Sequence, residues 1–186
     1  MRDSPVETAA IVGPLSESAA DSRVTDLEAI YDQYGRSLYR YAFALTGSSD
    51  DAEDAVQEVF LRLARERKTL RKVKNIRAYL FASARNAAYS ALRSRRRRAE
   101  LHESVLSSAA AGLSARTNDF STESAELRNA FAQLPPEQRE TLVLKIYDGM
   151  TLKEIARIIG ASAGTVASRY RYGIARLRQA LEDDND

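Results

Sequence analysis

Tyr79, Ser83, Asn86, Ser90 and Arg93 recur at intervals of three or four residues. At 100° per residue they share one helical face. A ring, two hydroxyls, an amide and a guanidinium lie there beside the run Arg95-Arg96-Arg97-Arg98. Such a face can stack a base, bond to its edge and hold phosphate, which is the chemistry of single-stranded nucleic acid. Tyr79 also borders the narrow apolar stripe Ile76, Leu80, Ala84, Ala87 and Ala91, where it would serve equally as a core aromatic.

A second group lies near the C-terminus. On a helix beginning after Ser162, Val166, Tyr170, Gly173, Ile174, Leu177 and Leu181 fall on one side. Gly164, Ser168, Arg171, Tyr172 and Ala175 fall on the other. Small residues keep that outer face slim, as entry into a major groove requires, while Arg171 and Tyr172 supply reach. Arginine is the commonest reader of guanine, and serine bonds to base edges or phosphate. Arg169 on the flank suits a phosphate. Thr151 and Lys153, at the start of the preceding helix, suit backbone phosphates too. The plain alternative is a helical hairpin with a solvated outer face.

A third group, Asp54, Gln57 and Glu58 around Leu61, forms an acidic and amide face opposite the apolar stripe Val56, Val59, Phe60 and Leu63. It reads either as a solvated surface or as a protein-docking patch. None of the three groups performs covalent chemistry. No nucleophile–base pair or convergent acids are visible, so no catalytic residue and no cofactor are expected. Asp50, Asp51, Glu53 and Asp54 open a helix and point in different directions, so no metal site is expected there. The chain lacks Cys, and His102 is its single histidine. Disulfides, Cys metal sites and His-dependent triads are therefore excluded.

These groups sit in an asymmetric field. Residues 58–98 carry 14 basic and 2 acidic residues, whereas residues 1–57 carry 4 basic and 11 acidic ones. A local charge of +12 in about forty residues is the footprint of a polyanion partner. The longest apolar runs fall well short of the ~20 residues of a membrane span, and the N-terminus lacks a signal-peptide pattern. A soluble, cytoplasmic protein without membrane insertion is expected.

The elements that must position the groups are all helical. Residues 1–23 show no periodicity and read as a mobile tail. Thr25 and Glu28 form a capping box before Leu27, Ile30, Tyr31, Tyr34 and Leu38, which recur as a core stripe until Gly47. Ser48 or Ser49 caps a second helix to about Arg67, whose acidic first turn suits the helix dipole. Asn75 caps a third, ending at Arg98. Residues 99–122 read as a flexible linker. Leu127, Phe131 and Leu134 mark a fourth helix, stopped by Pro135-Pro136. Leu142, Ile146 and Tyr147 mark a fifth, closed by Asp148-Gly149. The capping box Thr151–Glu154 opens a short helix, Gly160 ends it, and Ser162 caps the last, which runs to about Leu181. Residues 151–181 thus have a helix-turn-helix layout, with Ala156 small at the crossing. Two small all-helical domains, at 24–98 and 123–182, are expected.

In this order and spacing, LTGSSDDAEDAVQEVFLRL (45–63), NIRAYLFASARNAAYSALRSRRRR (75–98), LPPEQRETLVLKIYDGMTLKEIARIIG (134–160) and SAGTVASRYRYGIARLRQAL (162–181) resemble the sigma-70 family, specifically its extracytoplasmic-function (ECF) group. The resemblance implies a sigma domain 2 at 24–98 and a sigma domain 4 at 123–182. It implies that Asp54, Gln57, Glu58 and Leu61 dock on the beta-prime coiled coil of RNA polymerase. It implies that Tyr79, Ser83, Asn86, Ser90 and Arg93 capture the melted −10 element, and that Thr151, Lys153, Ser168, Arg169, Arg171 and Tyr172 read the −35 element. Core polymerase, including its beta flap, promoter DNA and an anti-sigma factor are the implied partners, and no small-molecule substrate is implied. The chain departs from the family pattern in carrying Tyr79 for a usual Trp, Ser90 for Asp, Ala163 for an acid and Ala167 for a polar or basic residue. Reading at −35 then rests more on Arg171 and Tyr172. The alternative is a stand-alone helix-turn-helix regulator, which would bind duplex DNA tightly without polymerase.

Overall fold

The computed structural model describes residues 27–66, 73–103 and 125–183. The proposed tail 1–23 and residues 104–122 of the proposed linker lie outside them. Seven helices occur among the described residues: α1 (Leu27–Thr46), α2 (Ser49–Arg65), α3 (Ile76–Glu103), α4 (Ala125–Gln133), α5 (Pro136–Ile146), α6 (Leu152–Ile159) and α7 (Ala163–Asp183).

The helix ends follow local chemistry. Gly47, at φ +66°, takes the left-handed conformation that ends α1 at little steric cost. The Ser48 hydroxyl accepts from the Asp51 amide to cap α2, and the Asn75 amide oxygen accepts from Ala78 to cap α3. Proline stands at the first position of α5, where an amide proton has no helical partner. Thr151 and Glu154 form a reciprocal capping box on α6. The structure extends α3 five residues past Arg98, to Glu103. Ala99, Glu100 and Leu101 are strong helix formers, and nothing in that stretch breaks the helix.

α1, α2 and α3 pack mutually around Ile30, Leu38, Val56, Val59, Leu63, Leu80 and Phe81, all buried. Burying one such side chain stabilises the fold by about 1.5–3 kcal/mol. Ala42, Ala52, Ala55, Ala87 and Ala88 form a second buried cluster contributed by all three helices. In the second unit, α7 packs against α4, α5 and α6 through Val166, Gly173 and Leu177. The two units also pack against each other, α1 on α5 and α3 on α6. No local sequence pattern announces that contact.

Candidate nucleic-acid and protein interfaces

The helix-turn-helix is built by α6 and α7. Gly160, at φ +68°, turns the chain, and the Ser162 hydroxyl accepts from the Thr165 amide to start α7. Gly173 lets α7 approach α5 closely: a Cβ there would lie 3.1 Å from Leu142 Cδ1. That approach fixes which face turns outward. Gly164, Arg171, Tyr172 and Ala175 are exposed, while Ser168 and Arg169 are half-buried. The Arg171 guanidinium lies 5.3 Å from the centre of the Tyr172 ring, so the two side chains present one cationic, aromatic surface. Thr151 and Lys153 are exposed at the start of α6. The Thr151 amide and hydroxyl both donate to Glu154, holding its carboxyl below the usual carboxylate range.

On α2, Asp54, Gln57, Glu58 and Leu61 all face solvent, and Leu61 is 55% exposed. Glu58 pairs with Arg62 one turn on, at 2.9 Å. Between α1 and α2 runs an open groove of about 810 Å³ whose lining includes Tyr31, Arg36, Tyr39, Gln57, Phe60 and Leu61. Tyr31 departs from the sequence expectation. Periodicity assigns it to the core stripe of α1, but it is 56% exposed and sets its ring edge-on to Phe60 at 5.0 Å. Its neighbour Ile30 takes the core position instead, being 5% exposed. Tyr31 thus joins Leu61 as an exposed apolar residue on the groove, a role invisible to periodicity because both readings fit a helix.

On α3, Asn86, Ser90 and Arg93 are exposed, and Tyr79 and Ser83 are half-buried. Tyr79 packs against the core cluster while keeping part of its surface in solvent. Arg95 is tied down: it donates to the Thr46 carbonyl at 3.3 Å and pairs with Asp51 at 3.2 Å. Arg96, Arg97 and Arg98 remain exposed and extend the basic end of the face. The structure does not merge the three groups. Each occupies its own surface, with the α2 and α3 groups on one unit and the α6–α7 group on the other.

A fourth site was missed by sequence reasoning. The Glu140 carboxylate on α5 is fully buried against the other unit. One of its oxygens accepts from the Tyr41 hydroxyl and from Arg85 Nε, each at 2.7 Å. Burial, reinforced by the Glu140 charge, pushes the Tyr41 phenol well above its usual range, so it stays a neutral donor. Burial opposes the charge on Arg85, but the hydrogen bond and charge of Glu140 outweigh it and raise its pKa. Beside this cluster, Arg40 pairs with Asp148 at 3.2 Å and lies 4.9 Å from the Tyr147 ring centre. Arg77 donates to the Asp148 carbonyl, and Arg139 to the Ala44 carbonyl at 3.3 Å. Tyr41 and Glu140 are 99 residues apart, so no local pattern announces their pairing.

Two descriptions of known families match the chain. The description of sigma-70 region 2 matches residues 30–98, and that of sigma-70 region 4 matches residues 124–177. The ECF RNA polymerase sigma factor SigL of Mycobacterium tuberculosis (strain ATCC 25618 / H37Rv) is 31% identical over 166 residues, covering 89% of this chain and 94% of its own. The ECF RNA polymerase sigma factor EcfG of Rhodopseudomonas palustris (strain TIE-1) is 32% identical over 148 residues, covering 80% and 81%. Among solved structures, the sigma factor RpoE of Bartonella quintana, crystallised with the anti-sigma factor NepR, superposes with a TM-score of 0.69 at 26% identity, covering 85% of this chain and 98% of that one. CnrH, solved with the cytosolic domain of CnrY, shares the fold, with a TM-score of 0.61 at 20% identity, covering 89% and 97%.

Proposed function

The chain belongs to the sigma-70 family, in its ECF group, and from that membership we propose a division of labour among its surfaces. A sigma factor of this kind directs RNA polymerase to promoters. Residues 24–98 act as sigma domain 2, residues 123–182 as sigma domain 4, and residues 99–122 join them. Asp54, Gln57, Glu58 and Leu61 dock on the beta-prime coiled coil of core polymerase, and domain 4 meets the beta flap. Tyr79, Ser83, Asn86, Ser90 and Arg93 capture bases of the melted −10 element. Ser168, Arg169, Arg171 and Tyr172, with Thr151 and Lys153, read the −35 duplex. An anti-sigma factor is a further partner, in keeping with the complex of the Bartonella relative.

The observation that carries this reading is a pair of solvent-facing reading helices of different character on one chain. The outer face of α7 is slim, cationic and aromatic, which suits a major groove. The outer face of α3 joins an amide, hydroxyls and half of a ring to an exposed Arg run, which suits splayed bases. The work is binding rather than catalysis. Unstacking a base costs a few kcal/mol, offset by pocket contacts and phosphate neutralisation. Polymerase supplies the rest by holding both readers at once, so that the second contact becomes nearly intramolecular. No catalytic activity of its own is assigned to the chain. Its place of action is the cytoplasm, on the nucleoid when bound to polymerase. Among the described residues no helix is long and apolar enough to cross a membrane.

The test is a reconstitution. Core polymerase plus this chain should start transcripts at a two-element promoter selected from a randomised library. The triple variant Asp54→Ala/Gln57→Ala/Glu58→Ala should lose polymerase binding while keeping its helical circular dichroism. Normal binding by that variant refutes the docking assignment. Tight duplex binding by the chain alone, with no response to polymerase, would favour the stand-alone regulator instead.

A further inference from the structure

The run Arg95-Arg96-Arg97-Arg98 forms one basic field in the sequence, and α3 divides it. At 100° per residue, Arg97 stands about 20° from Asn86 around the helix, in line with Tyr79, Ser90 and Arg93, whereas Arg95 stands about 180° away. Two arginines of one run thus point to opposite sides. Arg95 is directed at the corner where α1 ends and α2 begins. One of its terminal nitrogens donates to the Thr46 carbonyl at 3.3 Å, and the other to Asp51 Oδ2 at 3.2 Å. Thr46 closes α1, where helical carbonyls lack partners and a cation is favoured. Asp51 lies in the first turn of α2, where a carboxylate is favoured. Arg95 therefore serves two helix ends at once.

That corner lies where α3 has little else to hold it. Ala88 is the last buried residue of α3 among the described ones, and residues 96–99 are all exposed. Ser90 and Arg93, two of the five residues assigned to the −10 strand, lie beyond that last anchor. The packing just before it is made of Ala42, Ala52, Ala55, Ala87 and Ala88. Alanines let helices approach but bury little apolar surface each, so they resist a roll or tilt of α3 only weakly.

We propose that Arg95 and Asp51 are positioning residues for the −10 reader: their clamp fixes the roll of α3 so that Asn86, Ser90 and Arg93 face the strand together. This rests on the −10 assignment made above. The rival role for Arg95 is a phosphate contact like its neighbours, and its side chain is 44% exposed, which leaves room for one. The two roles make opposite predictions for Asp51. If Arg95 binds phosphate, Asp51 competes for its guanidinium and repels the DNA, so removing the carboxylate tightens binding. If Arg95 is a clamp, removing the carboxylate frees α3 and loosens binding.

The probe is a forked promoter with a single-stranded −10 strand, bound by core polymerase carrying the full chain, over a series of KCl concentrations. An exposed ion pair shifts an equilibrium roughly twofold to fivefold. Asp51→Ala and Arg95→Ala should each weaken binding by that factor at every salt concentration. Asp51→Ala/Arg95→Ala should be no weaker than either single variant, because both remove the same contact. Arg97→Ala should instead flatten the plot of log affinity against log salt by about 0.7–0.9, the share of one phosphate. Tighter or unchanged binding by Asp51→Ala overturns the clamp. So does a double variant weakened by the product of the two single losses, or a slope flattened alike by Arg95→Ala and Arg97→Ala. Alanine favours the helix at both positions, and circular dichroism shows that the variants fold. In the free chain, amide exchange over residues 92–98 should rise by the same factor in both single variants, and no rise overturns the clamp. If Asn86→Ala binds the fork as tightly as the parent, the −10 assignment fails, while the exchange measurement still decides the clamp.

Discussion

Gly173→Ala tests whether the close approach of α7 to α5 sets the stability of the helix-turn-helix. Two effects compete at this position. In an exposed helix interior, replacing glycine with alanine is worth about 1 kcal/mol of stability. Here the new Cβ would meet Leu142 Cδ1 at 3.1 Å, Leu142 Cγ at 3.2 Å and Gln138 Cβ at 3.3 Å. The optimum for carbon pairs is roughly 3.5–4.0 Å. Leu142 is fully buried and cannot swing into solvent, so α7 itself must shift. Overpacking of this kind costs about 1–3 kcal/mol. The net expectation is a loss of roughly 1 kcal/mol, or about 4–8 °C in the melting of a unit this size. Gly164→Ala is the control. Its nearest neighbour would be Ser162 Oγ at 3.7 Å, an ordinary contact, so the helical gain should survive and stability should rise. Urea melts of the two variants beside the parent give both signs in one experiment. If Gly173→Ala proves as stable as the parent, the packing argument for the orientation of α7 is wrong.

Three further outcomes are expected. Arg171→Ala should cost about 1–3 kcal/mol in promoter binding and relax preference at one −35 position, measured by competition across single-base variants; a uniform loss over all sequences would make Arg171 a phosphate contact. Glu154→Gln should destabilise α6 at neutral pH. The depressed carboxyl of Glu154 contributes stability that is complete above its ordinary value of about 4.3 and is lost as pH falls through its lower folded value. Melting curves of the variant and parent should therefore converge in strong acid, and a gap independent of pH would refute the assigned charge. Gly35→Ala would place a Cβ 3.3 Å from the Tyr31 ring, which is exposed enough to move aside. If the groove that Tyr31 shares with Leu61 belongs to the docking surface, the substitution should weaken polymerase binding in a pull-down with little change in melting temperature; full binding would show that Tyr31 takes no part in docking.

What was legible in the sequence was legible because it is local. The Thr151–Glu154 box, the Ser162 cap and the Gly160 turn are each written within four residues, and the structure forms each. Val56, Val59, Phe60 and Leu63 repeat with the helix and are all buried. Tyr31 misled because a helical repeat marks a stripe without marking its edge. Ile30 and Tyr31 are adjacent, and only packing against α2 decides which goes inside. Arg85 was hidden in the basic stretch, where the field of the whole run suggested a polyanion partner. Its partner is one carboxylate of the other unit. Tyr41 and Glu140 form no motif at all, since a hydrogen bond across 99 residues exists only once both units are placed.

α3 has almost no idle circumference. Leu80, Phe81, Ala84 and Ala87 face the core, Arg77 and Arg85 bond to the other unit, Asn86, Ser90 and Arg93 face outward, and Arg95 clamps the α1–α2 corner. Any roll of that rod about its axis degrades several tasks at once. On the assignment proposed above, the outer side of α7 is the freer of the two reading faces, because Gly164, Arg171 and Tyr172 stand exposed there.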